Sequence, residues 1–156
     1  GEADALNFVC NAVELGDSDE QLERALRADF SGASIARAPA GANAWVRSIV
    51  EQTRGHAPTA DVPLDVQGTA FQWKVWKALQ RIPLGQTRSY ADVARSIGEP
   101  RAVRAVAGAC ARNPVAVVVP CHRVVRSDGE LGGYRWGTER KGRLLRTERA
   151  PVRPRT

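Results

Sequence analysis

The sequence predicts an α+β chain: a small N-terminal α/β domain over residues 1–60, then a mostly helical C-terminal domain over 64–150 with a helix-turn-helix and a short strand leading into Cys121. Three observations carry that prediction. The run LNFVCNAVEL alternates apolar and β-forming residues and is followed by apolar residues at helical spacing, which marks a strand and then a helix. GHAPTADVP, at 55–63, mixes Pro, Gly and polar residues without periodicity and reads as the boundary. Beyond it, two short helical patterns flank Gly98-Glu99-Pro100, a tight turn.

Each element has its own local cause. The first strand ends at Gly16-Asp17, and Ser18 with Gln21 then forms a capping-box pattern ahead of Leu22, Ala25, Leu26 and Phe30. A second amphipathic helix is predicted over 43–54, from Asn43 as N-cap through Trp45, Ile49 and Val50 to Gly55. Thr69 and Gln72 make another capping box, opening TAFQWKVWKALQRI, where Phe71, Val75, Leu79 and Ile82 form one apolar stripe. Trp73 and Trp76 in that helix read as packing rather than ligand-stacking aromatics. After the turn PLGQTRS, residues 89–97 and 101–112 make the two helices, the second stopping at Asn113-Pro114. VAVVV, at 115–119, is a buried strand by composition, closed by Pro120.

Composition removes several function classes. With 156 residues and 43% hydrophobic content the chain has a core and is not a disordered tail. No stretch reaches the roughly 18 apolar residues of a membrane span, and GEADALNFVC lacks the regions of a secretory signal, so a soluble cytoplasmic protein without a membrane partner is expected. Methionine is absent even at position 1, which points to a processed or trimmed chain with native sequence upstream. Cys10, Cys110 and Cys121 fit neither a disulfide framework nor a metal motif, and His56 and His122 lie far apart, so no metal site is expected.

Charge divides the chain. Residues 1–60 carry five basic and nine acidic side chains, residues 61–156 carry 18 and eight. A basic half of this kind suits a polyanion, above all nucleic acid. An Arg-rich solubilising surface explains the same imbalance, since 20 of the 23 basic residues are arginine. Helix 101–112 adds a second feature: between its arginines stand Ala102, Ala105, Ala107, Gly108, Ala109, Cys110 and Ala111. A major-groove reader would offer longer polar side chains to base edges; small residues instead suit close approach in the minor groove and recognition of shape or damage. Packing of this helix against a neighbour fits the same pattern. In VVVPCHRVVRSDGELGGY, Cys121 and His122 are followed by arginines, a setting that lowers a thiol pKa and populates thiolate. Adjacent strand residues point to opposite faces, so the dipeptide alone decides nothing.

Taken together, PCHRV, preceded by RAVAGACARNP and by SYADVA, resembles the O6-alkylguanine-DNA alkyltransferases, in particular the bacterial Ada-type C-terminal domain. The likeness is continuous from about 64 to 149 and loose before that. It implies repair of duplex DNA by direct reversal, an alkyl group moving from guanine O6, and from thymine O4, to Cys121. His122 would take the thiol proton through a water and Glu148 would orient it. The thioether cannot be cleaved, so the protein is consumed, acts as a monomer and needs no cofactor or metal. The base must be turned out of the duplex. Arg104 would fill the space left, Tyr90 would help turn the phosphate, and Asn113 would brace the hinge; Ser89, Ala105 and Gly108 fall on the DNA-facing helix-turn-helix. Gly132, Gly133, Tyr134, Arg135 and Trp136 would line the base pocket, with Lys141 near the tyrosine and the Val124 carbonyl reading the guanine edge. Two departures stand out: Ala116 replaces a proline found in some members, and Trp136 stands where others have glycine, which would narrow the pocket and favour methyl over benzyl adducts. Rival readings are a non-catalytic binder of alkylated DNA or regulatory module, whose members lack the cysteine, and a Cys-His hydrolase. An upstream regulatory and phosphotriester-repair domain would make this chain half of a regulator.

Overall fold

The computed structural model describes residues 10–37 and 44–149. Helix starts follow the capping chemistry. Helix α1 (Asp19–Asp29) begins at Ser18, whose Oγ accepts from the Gln21 amide at 3.1 Å, while Gln21 Oε1 accepts from the Asp17 amide at 2.8 Å. Helix α2 (Ala44–Thr53) lies where the apolar spacing places it; its expected cap, Asn43, is outside the described residues. Helix α3 (Ala70–Gln80) opens on the Thr69–Gln72 box. Strand β1 (Arg88–Ser89) runs straight into α4 (Tyr90–Ser96), where Ser89 and Asp92 form a further box that the sequence reading did not single out. Gly98, at φ +76, makes the turn to α5 (Val103–Ala111). A one-turn 3-10 helix (Cys121–Arg123), strand β2 (Val124–Val125) and helix α6 (Thr138–Arg149) follow.

The architecture is mixed and mainly helical, with one two-stranded parallel sheet that pairs Arg88 with Val124 and Ser89 with Val125. Val75, Trp76 and Leu79 of α3, Val93 and Ala94 of α4, and Val106 and Ala109 of α5 share one buried core with Val115, Val119 and Val124. Trp76 is a packing residue: 2% exposed, it donates Nε1–H to the Ala109 carbonyl at 2.9 Å and meets Trp73 edge-on at 5.2 Å.

Two strand predictions need correction. Of LNFVCNAVEL, the residues before Cys10 lie outside the described set, and the remainder makes only single parallel bridges, Cys10 to Leu64 and Val13 to Val115. VAVVV is not a strand leading into the cysteine. Only Val115 bridges; the chain then turns, with Val117 at φ 59, a costly conformation for a β-branched residue. The reason is Asn113, which accepts from the Val115 amide at 3.0 Å and donates to the Val119 carbonyl at 2.8 Å, so a side chain satisfies backbone groups that a partner strand would otherwise take. Apolar composition reports burial, and a buried loop held from within has the same composition as a strand.

Candidate active site

Cys121 therefore opens a 3-10 turn instead of ending a strand, and that turn places His122 and Arg123 on the core side with it. All three are buried. Asn113, itself fully buried, donates Nδ2–H to Cys121 Sγ at 3.3 Å. Burial pushes the Cys121 thiol up, and the Asn113 hydrogen bond with the charges of Lys141 and Arg135 offsets only part of that. The expectation that neighbouring His122 and arginines lower the thiol pKa meets the opposite direction: desolvation outweighs the nearby charges.

A polar chain runs away from the nucleophile. His122 Nε2 meets Glu148 Oε1 at 2.6 Å; Arg123 grips the same carboxylate through Nε to Oε2 at 3.0 Å and Nη2 to Oε1 at 2.9 Å, and gives Nη1–H to the Ile82 carbonyl at 2.9 Å. Burial alone would raise the Glu148 carboxyl, but the His122 and Arg123 hydrogen bonds outweigh it and hold the carboxyl below its ordinary value. An ionised Glu148 only accepts, so His122 donates Nε2–H to it, and in the neutral imidazole Nδ1 is then the acceptor. That Nδ1 is buried and has no hydrogen-bond partner among the described residues. The chain Arg123–Glu148–His122 thus ends in an unused proton acceptor on the residue next to the thiol.

Beside Cys121 lies a cavity of about 250 Å³ lined by Tyr90, Ala107, Cys110, Ala111, Gly133, Tyr134 and Arg135. Tyr90 and Cys110 are each pushed up to about 12, chiefly by burial, so both stay protonated. Lys141, wholly buried, donates to the Gly133 carbonyl at 3.0 Å and to Tyr90 Oη at 3.4 Å, tying α6 to α4 and to the cavity wall. Gly132 sits at φ +72 with its missing Cβ only 3.1 Å from Tyr90 Oη, so a side chain there would be strained and would push the tyrosine. A wider groove of about 780 Å³, lined by Lys74, Lys77, Arg81 and Arg88 among others, contains no cysteine or histidine and is not the reaction site.

The cavity opens beside α5. Val106, Ala109 and Cys110 of that helix face the core; Ala107 and Ala111 line the cavity; Arg104, Ala105 and Gly108 are exposed, and a Cβ on Gly108 would touch nothing within 4 Å. The packing reading of the small-residue helix holds for one face, and the other face is left open to solvent. Ser89 is occupied as the α4 cap, and Val124 is buried in β2. Trp136 does not line the cavity, so its bulk does not narrow it directly; it stands behind Tyr134, edge-on at 5.3 Å. Sequence reasoning missed Arg123 as a member of the site, although it lies inside PCHRV, and took Cys110 only as a small residue. It also missed Glu14, whose Oε2 accepts from Trp136 Nε1 at 2.7 Å; a carboxylate interrupting an apolar run was the available signal.

Chemically, the arrangement offers sulfur to an electrophilic carbon in a small pocket, with a histidine as the next residue in the chain. It disfavours acyl hydrolysis: the backbone N–H of a nucleophile commonly helps bind the oxyanion, whereas that of Cys121 is spent on the Val119 carbonyl at 2.8 Å. No cluster of three or more metal-ligating side chains occurs among the described residues.

Comparison with known proteins converges on one group. The family described as 6-O-methylguanine DNA methyltransferase, DNA binding domain, matches residues 70–150. The bifunctional transcriptional activator/DNA repair enzyme Ada of Escherichia coli is 47% identical over 146 residues, 94% of this chain and 41% of that protein, so the chain spans about two fifths of its relative's length. A methylated-DNA–protein-cysteine methyltransferase of Mycolicibacterium paratuberculosis is 52% identical over 95 residues, covering 61% of this chain and 58% of that one. Among solved structures, Mycobacterium tuberculosis OGT in complex with DNA is similar with a TM-score of 0.64 and 48% identity over 67% of this chain and 65% of that chain.

Proposed function

Because the chain belongs to the 6-O-methylguanine DNA methyltransferase family, we propose that it repairs alkylated DNA by taking an alkyl group from guanine O6, and from thymine O4, onto Cys121. The observation that carries this is the buried Arg123–Glu148–His122 chain, whose unpartnered end, Nδ1, belongs to the residue that follows the cavity-lining Cys121. With substrate in place, the Cys121 proton passes through a water to Nδ1, and Glu148 stabilises the imidazolium. The thiolate attacks the alkyl carbon; the carbon–oxygen bond breaks with its electron pair going to the guanine, which is then protonated back to its normal form. The thioether is permanent, so each chain reacts once.

A stacked guanine cannot reach Cys121, so the base is turned out of the duplex into the cavity. Supporting this are the exposed Arg104, Ala105 and Gly108 of α5, the helix whose Ala107 and Ala111 line the cavity; they would let the helix lie close in a minor groove while Arg104 occupies the vacated space. Tyr134 and Gly133 form one wall, and Lys141 ties the Gly133 carbonyl to Tyr90. Affinity rests on arginine–phosphate contacts and falls steeply with salt. The test is to incubate a duplex carrying one O6-methylguanine with increasing protein and to quantify normal guanine. Restoration that stops at one base per chain supports the proposal; restoration beyond one per chain, or binding without restoration, replaces it with a turnover enzyme or a damage binder respectively.

A further inference from the structure

The acidic N-terminal segment reaches the far side of the cavity wall. Glu14, with its side chain 10% exposed, accepts from Trp136 Nε1 at 2.7 Å through Oε2 and from Arg135 Nη2 at 3.4 Å through Oε1. Asp29 takes the same Arg135 Nη2 at 3.5 Å, and Asp17 pairs with Arg140, whose Nη1 donates to the Trp136 carbonyl at 2.9 Å. The backbone of the same segment brackets the cysteine loop: the Val13 amide donates to the Pro114 carbonyl at 3.0 Å and the Ala116 amide to the Val13 carbonyl at 3.1 Å. One short stretch, Val13-Glu14, thus holds both the loop that precedes Cys121 and the residues behind Tyr134.

We infer that Glu14 is a positioning residue that sets the width of the alkyl-accepting cavity, and so the size of group that Cys121 accepts; the inference rests on the alkyl-transfer reading. Tyr134 is the wall, Trp136 stacks edge-on against it, and Glu14 is the acceptor that fixes Trp136. With that acceptor removed, the indole N–H and the guanidinium lose a desolvated partner, and the wall gains freedom to swing outward. A wall held in place favours a methyl group by keeping its carbon against the sulfur; a loose wall admits a larger group at the expense of that alignment. The charge division of the sequence then has a specific purpose beyond solubility, since the acidic segment clamps a basic pocket wall.

The experiment compares transfer from two duplexes that differ only in carrying O6-methylguanine or O6-benzylguanine, read by intact-protein mass over time. Glu14→Ala is expected to raise the benzyl-to-methyl rate ratio by about tenfold, the size of one lost charge-assisted hydrogen bond. Glu14→Gln, whose amide oxygen still accepts from Trp136, is expected to restore the parent ratio. An exposed carboxylate of the same segment serves as control: Glu23→Gln leaves both rates unchanged. Should Glu14→Ala fail to fold, Trp136→Phe removes the donor from the other side and is expected to move the ratio in the same direction. An unchanged ratio in a folded Glu14→Ala, or equal slowing of both transfers, overturns the inference and leaves the alkyl-transfer reading standing. No transfer by the parent protein from either duplex overturns that reading and the inference with it.

Discussion

Two regions meet at the cavity and are built in opposite ways. Behind Cys121, Asn113, His122, Arg123 and Glu148 are buried and joined by hydrogen bonds between 2.6 and 3.3 Å, with one buried acceptor left over. In front, the outer face of α5 offers Arg104, Ala105 and Gly108 to solvent, with no described side-chain partner. Groups that manage a proton must be fixed before substrate arrives, because a buried polar atom placed wrongly is costly. A surface that meets DNA does best by being bare, since each long side chain would hold the backbones apart. On the proposed reading, ordering serves the chemistry and recognition rests on shape and charge.

The buried region is the more fragile. Glu148→Ala leaves Arg123 and His122 without their counter-charge and should cost about 3–5 kcal/mol in urea unfolding as well as abolishing transfer. A loss below about 1 kcal/mol would mean that the network is not a unit. Its pH signature follows from the sign of the Glu148 shift. The folded carboxyl lies below its ordinary 4.5, so the pair's stabilisation is complete above that value and is lost as pH falls through the lower folded one. Glu148→Gln should flatten that acid limb of stability, measured by thermal unfolding across pH.

On the bare face the effects separate differently. Arg104→Ala should slow transfer from duplex DNA by about tenfold and leave unfolding free energy within about 0.5 kcal/mol of the parent. The smallest change is the sharpest contrast: Gly108→Ala, open around its Cβ, should raise stability by about 0.5–1 kcal/mol while weakening duplex binding. A gain in both would remove close approach from the account.

The two regions were also unequally legible in the sequence. Helix starts were plain because Ser18, Thr69 and their partners act over three residues, and the small-residue face of α5 is visible as composition. Cys121 and His122 stood out as residue types. What the sequence hid was geometry that depends on distant groups. VAVVV reads as a strand until Asn113 is seen to satisfy its backbone. Arg123 looks like another surface arginine until Glu148, 25 residues on, receives it. Thiolate chemistry looked favourable at Cys121 until burial was weighed against the nearby charges. Glu14 is more than a hundred residues from Trp136; a carboxylate within an apolar run marks it as unusual but does not name its partner.

The most direct measurement is peptide mapping by mass spectrometry after reaction with an O6-methylguanine duplex, with Cys121→Ser alongside. One added methylene per chain is expected, on Cys121 alone, and none in the variant, because Cys110 shares the cavity but has no hydrogen-bonded proton acceptor among the described residues. Methylation of Cys110, or an unmodified Cys121 in protein that still binds the damaged duplex, would contradict it.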